Sequence, residues 1–142
     1  MYQTFTNKLT KLFLLVLSVF ALVSCEPASE YAEDASESGG FYATDINGTW
    51  KETKTGLVIR ISGVTSSTSG TGVLTNAGTA FPSAAVGGTP LTVIEHQSGG
   101  YWDAYNNTYY TNGTWGQTKV VGLAMNDAKT EFRIGTAVYK KQ

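Results

Sequence analysis

The sequence predicts an all-β domain, a small antiparallel up-and-down β-barrel of about seven or eight short strands, with a β-sandwich as the alternative. Three observations carry that expectation. From Asp45 onward apolar side chains recur with period two, as where Leu57, Ile59 and Ile61 alternate with Val58 and Arg60, the pattern of a strand with one buried face. Turn residues punctuate the chain every few positions, at Asn47-Gly48, Thr55-Gly56, Ser69-Gly70, Asn76-Ala77-Gly78, Gly87-Gly88, Ser98-Gly99-Gly100, Asn112-Gly113 and Asn126-Asp127. No stretch of this region carries the three-and-four spacing of an apolar helix stripe. Closure into a barrel is favoured over a sandwich because it leaves no row of unpaired backbone groups at a sheet edge.

Ahead of the β region, residues 1–24 read as an address. Lys8 and Lys11 precede the apolar run Leu12 to Val23, which closes on Leu22-Val23-Ser24-Cys25. A basic start, a short apolar stretch and small residues at the end make a secretory signal peptide. The run is shorter than the roughly 20 residues a spanning helix needs. Leu22-Val23-Ser24-Cys25 resembles the lipobox of bacterial lipoproteins, which implies cleavage before Cys25 and lipidation of its thiol. Cys25 is the single cysteine, so no intrachain disulfide and no cysteine metal site can form.

Residues 25–44 follow as the lipidated cysteine and an acidic tether. Glu26, Glu30, Glu33, Asp34 and Glu37 meet no base there, and the segment is too poor in branched apolar residues to offset the entropy of ordering. As a flexible chain it reaches about 25 Å on average and about 65 Å fully extended. From Asp45 to Gln142 eight bases stand against six acids. They are scattered, and no basic stripe of the kind that tracks phosphates is present, which excludes nucleic acid as an expected partner.

Within residues 45–142 the strands are expected at 48–54, 57–62, 71–75, 79–81 (the weakest), 91–97, 101–110, 114–125 and 130–139. In the last, Phe132, Ile134, Thr136 and Val138 would share one face. Ile61 to Ile94 is free of charge between its ends, rich in Ser, Thr, Gly and Ala, and broken by Pro82 and Pro90. It reads either as a loose excursion around a short hairpin or as a flap over an opening of the barrel.

Little here points to catalysis. Glu95 and His96 are adjacent on a strand and so face opposite ways. Glu95 and Asp103 could meet across the Ser98–Gly100 turn, where solvated charges are the simpler reading. One histidine without a carboxylate cluster makes a poor metal site, so no metal or cofactor is expected. The aromatic strand Tyr101 to Tyr110 is the best binding candidate, with Trp102, Tyr105 and Tyr109 as the proposed ligand residues. Strict alternation would set Tyr101, Asp103, Tyr105, Asn107 and Tyr109 on one face, a mix of rings and polar groups suited to an amphipathic ligand or a sugar. The competing reading puts Trp102 in the core and the tyrosines on the outer surface.

Gly48-Thr49-Trp50 is similar to the G-x-W that opens lipocalins and other calycins. Val86-Gly87 followed by Leu91-Thr92-Val93-Ile94, then Gly100-Tyr101-Trp102-Asp103-Ala104, and a closing Tyr139-Lys140 resemble the lipocalin-like lipoproteins common in Bacteroidetes. The likeness runs over residues 45–141. It implies a barrel with Trp50 plugging one end, an apolar or amphipathic ligand inside, and a basic residue of the last strand stacked over the tryptophan. Arg133, Lys140 and Lys141 are the bases available for that place. The expected whole is a non-enzymatic lipoprotein of the cell envelope, anchored through Cys25, facing periplasm or cell surface on the outer membrane. It would bind a small amphipathic molecule or, alternatively, a glycan or an envelope protein.

Overall fold

The computed structural model describes residues 40–142; the expected signal segment, Cys25 and the acidic stretch up to residue 39 lie outside the described residues. Eight strands follow in order: β1 (Gly48–Glu52), β2 (Val58–Ser62), β3 (Gly70–Asn76), β4 (Leu91–Ser98), β5 (Tyr101–Tyr109), β6 (Trp115–Met125), β7 (Glu131–Ile134) and β8 (Ala137–Lys141). Each pairs antiparallel with the next, and β8 returns to β1 through Trp50 opposite Lys141 and Glu52 opposite Tyr139, closing an up-and-down barrel. Closure decides between barrel and sandwich.

One end is sealed by a 3₁₀ turn, Ala43–Ile46, that leads into β1. Trp50 is fully buried and its indole N–H donates to the Ile46 carbonyl at 2.8 Å. Its ring meets Phe132 edge-to-face at 4.8 Å, and the Lys141 ammonium sits 5.2 Å from its centroid. Lys141 therefore holds the cation place over the tryptophan, while Arg133 pairs with Glu131 at 3.1 Å instead. Ile59, Ile61, Leu74, Ile94 and Leu123 fill the adjoining interior with almost no exposure.

The ordered domain begins earlier than the sequence signals. Phe41 and Ala43, assigned to the tether above, are buried, and the Trp102 indole donates to the Ala43 carbonyl at 3.0 Å. The Lys129 ammonium reaches both the Asp45 carboxylate (2.8 Å) and the Gly40 carbonyl (2.6 Å) and lies over the Phe41 and Tyr42 rings. A lone Phe-Tyr pair in a polar segment is too small a signal to reveal such a plug.

Two strand expectations fail. Residues 79–81 are a turn, not a strand, and 130–139 is a hairpin, not one strand. Gly135 (φ 56°) supplies the left-handed turn conformation that glycine adopts freely, and the reversal pairs Phe132 with Tyr139. Their rings stack at 4.7 Å, so Phe132 and Tyr139 are buried and Thr136 is exposed at the tip. The uncharged stretch from Ile61 to Ile94 contains β3, the start of β4 and a short 3₁₀ turn, Ser83–Ala85. Its long connection is tied down at both ends. Leu74 exchanges backbone hydrogen bonds with Gly87 and Gly88 at 2.8 Å, Thr79 donates to Thr55, and Asn107 donates to Pro90. The Asn107 amide adds a 2.7 Å bond to the Thr89 carbonyl.

Candidate functional site

The end of the barrel opposite Trp50 is where the β1–β2 turn, the connection between β3 and β4, and the β7–β8 turn meet. There the interior is open. A cavity of about 420 Å³ lies between Leu57 and Ile59 of β2, Leu91 of β4, Val121 of β6, and Ile134 and Ala137 on either side of the Gly135 turn. That volume is within the range of about 300–1,000 Å³ typical of small-molecule sites. Phe81 and Pro90 enter from the connection. Phe81 packs on Trp115 at 5.2 Å, and Tyr109 meets the same indole at 5.2 Å from β5. Gly88 lies against the Trp115 ring so closely that a Cβ there would collide with it. This contact fixes the connection against the tip of the β5–β6 ribbon.

The barrel wall is uneven beside the cavity. β6 pairs with β5 along its whole length, from Trp115 opposite Tyr109 to Ala124 opposite Tyr101. With β7 it pairs only through Ala124–Arg133 and Met125–Phe132. Beyond that point β7 has turned into β8, and β6 continues without a second strand neighbour among the described residues. Lys119, Val121 and Gly122 from this unpaired stretch border the cavity, facing Ile134 and Gly135.

Three polar side chains join the apolar lining: Asn106, Lys119 and Tyr139. Glu52, opposite Tyr139 on β1, is buried and accepts hydrogen bonds from the backbone N–H and hydroxyl of Thr55, the second at 2.6 Å. Burial pushes its carboxyl up, but the bonds from Thr55 and the Lys54 amide, with the nearby Lys54 ammonium, outweigh it, and the net shift is downward. Burial, reinforced by the negative Glu52, pushes the Tyr139 phenol up to about 12 from an ordinary value of 10.0. The folded protein thus holds this proton where the unfolded chain releases it. Stability fully present below pH 10.0 is lost as pH rises towards about 12. Each unit of that interval corresponds to about 1.4 kcal/mol. Urea denaturation at about pH 9 and about pH 11 should show this loss in the native protein and a flatter profile in Tyr139→Phe; equal slopes would place the phenol in water.

The three residues proposed from sequence do not come together, and none lines the cavity. Trp102 is fully buried at the sealed end, its ring 4.9 Å from His96 and 6.4 Å from Phe41. Tyr105 is half-buried and pairs with Thr92 on one side and exposed Val120 on the other, on the outer surface. Tyr109 packs on Trp115. Between it and Tyr105 the β5–β6 register is irregular: Asn106 and Asn107 pair with Lys119 and Gln117, so Thr118 of β6 is an extra residue. The polar residues at the cavity went unnoticed because their meeting depends on pairing register, which no single strand displays.

The other candidates resolve simply. Glu95 and Asp103 stand opposite each other across the β4–β5 turn, Glu95 exposed. His96 bonds through Nε2 to the Gly99 carbonyl at 2.7 Å and packs on Trp102, a structural post. Among the described residues no group of three or more His, Cys, Asp or Glu side chains could hold a metal ion. On the outer face, Tyr101 lies across Gly122 and Tyr110 across Gly116, each where a Cβ would collide with the phenol. Compared with known proteins, the chain matches no family model, no curated sequence and no solved structure.

Proposed function

We propose that this chain is a lipid-anchored envelope protein whose lipocalin-like barrel is a non-catalytic carrier or receptor for a small amphipathic molecule. The observation that carries the ligand reading is the cavity itself: a barrel packed solid at the Trp50 end opens at the other into an apolar space of about 420 Å³. Apolar wall exposed to water at that opening is costly, and an apolar group entering the cavity would recover part of that cost. The sparse polar lining suits a molecule with one polar end. The anchor rests on the lipobox-like Leu22-Val23-Ser24-Cys25 and the apolar run before it. The acidic stretch after Cys25 would then hold the barrel off an anionic bilayer.

The test of the ligand reading is titration of the full chain with phenylnaphthylamine, an uncharged fluorophore that brightens in apolar surroundings. Binding at one site per chain is expected. Ala137→Trp, which fills the cavity from β8, should abolish it while the far-ultraviolet circular dichroism stays that of a β protein. Fluorophore binding that is absent in the native chain, or that survives Ala137→Trp, would discard the reading.

A further inference from the structure

The following rests on the cavity being a ligand site and names the class of ligand. Asn106 of β5 and Lys119 of β6 are direct partners in the antiparallel ladder. Side chains of such a pair stand on one face of the sheet, with Cβ atoms about 5 Å apart, and both border the cavity. Among the described residues both are uncommitted. The two ion pairs are Lys129–Asp45 and Arg133–Glu131, and Asn106 takes part in hydrogen bonding through its backbone carbonyl, which accepts from Thr118.

Lys119 is the only charged group in the lining among the described residues. Its ammonium can only donate, and the Asn106 amide offers two further N–H donors beside it. The Tyr139 phenol adds an O–H from the β8 side. Glu52, the acid paired with Tyr139 across the β1–β8 ladder, already accepts from Thr55. Beside Asn106 the nearest charge in the lining is the Lys119 ammonium, so a cationic head there is repelled, whereas an anionic head gains a charge-assisted bond.

We propose that the cavity selects anionic amphiphiles, taking a carboxylate head between Lys119 and Asn106 and an apolar tail against Leu57, Ile59, Leu91 and Ile134. The unpaired stretch of β6 leaves this head position at the barrel wall, in contact with water, so the tail can enter without burying the charge.

Displacement of phenylnaphthylamine from the full chain by dodecanoate, dodecanol and dodecylamine, which share one tail, isolates the head group. Dodecanoate should displace the fluorophore at about tenfold lower concentration than dodecanol, the scale of one charge-assisted hydrogen bond at a wet site, with dodecylamine weakest. Lys119→Met, which keeps the aliphatic stem of an exposed side chain, should bring dodecanoate to the level of dodecanol measured on the same variant. Lys119→Glu should reverse the order in favour of dodecylamine. Equal displacement by all three on the native chain, or an undiminished dodecanoate preference in Lys119→Met, overturns the anionic assignment while the cavity reading stands. Failure of the fluorophore itself to bind overturns both.

Discussion

Trp50→Ala should remove about 3–5 kcal/mol of folding stability, the largest single-residue loss expected in the described domain. The indole is fully buried, packs edge-to-face on Phe132 and lies beneath Lys141. Truncation leaves a large void at the sealed end and strips the Ile46 carbonyl of its 2.8 Å donor, an unpaired buried acceptor that itself costs about 1–3 kcal/mol. Since a domain of this size has about 5–15 kcal/mol in all, the variant should be marginally folded. Trp50→Phe keeps most of the packing and loses the hydrogen bond, so its cost should be about 1–2 kcal/mol. Tyr105→Ala, on the outer surface, should cost less than about 1 kcal/mol. Urea denaturation orders the three. A Trp50→Ala domain as stable as the native one would mean that this end is not packed as described.

If the proposed lipid anchor is right, Cys25→Ser should abolish acylation and leave the apolar leader uncleaved. In the proposed reading the thiol of Leu22-Val23-Ser24-Cys25 is the acylated group, and a serine hydroxyl cannot form the thioether that would carry the lipid. The energetic consequence is steep. Each buried methylene is worth about 0.8 kcal/mol, and stable anchoring takes more than one chain. In cells fed an alkyne fatty acid, the native chain should take up label and sediment with membranes. The serine variant should be unlabelled and retain its apolar leader. Equal labelling of both, or an unlabelled native chain, contradicts the anchor.

The barrel was legible because its physics is local. Period-two alternation in β2, glycine-marked turns and the absence of a helix stripe each follow from a few adjacent residues, and the edge-strand argument then favours closure. The Trp50 plug was legible for a similar reason, since Gly48-Thr49-Trp50 is contiguous. What sequence reading lost depends on residues far apart in the chain or on a single irregular position. Gly135 divides a run whose alternation looks continuous across it. The irregularity beside Asn106 and Asn107, with Thr118 as the extra residue of β6, is likewise invisible in either strand alone. Phe41 finds its partner Trp102 sixty residues on. The pairing of Asn106 with Lys119 is set by register across the β5–β6 turn.

Strain is stored close to these features. Val93 adopts φ 49° within β4, a conformation that costs a β-branched residue about 1–2 kcal/mol, where the register of β4 against β5 shifts between Thr92 and Glu95. The side-chain amide oxygen of Asn107, buried nearby beside Thr89 and Thr92, has no hydrogen-bond partner among the described residues. Both lie where β4 leaves the long connection; at the sealed end Lys129 is likewise left-handed, at φ 57°.

Methyl-detected nuclear magnetic resonance of the chain titrated with dodecanoate addresses the open end most directly. Shifts should concentrate on Leu57, Ile59, Leu91, Val121 and Ile134, saturate at one equivalent, and leave Val64, Leu74 and Leu123 at the packed interior unmoved. Shifts confined to Val93 and Val120 on the outer surface, or no saturable shift at any of these methyls, would contradict a ligand held inside the barrel.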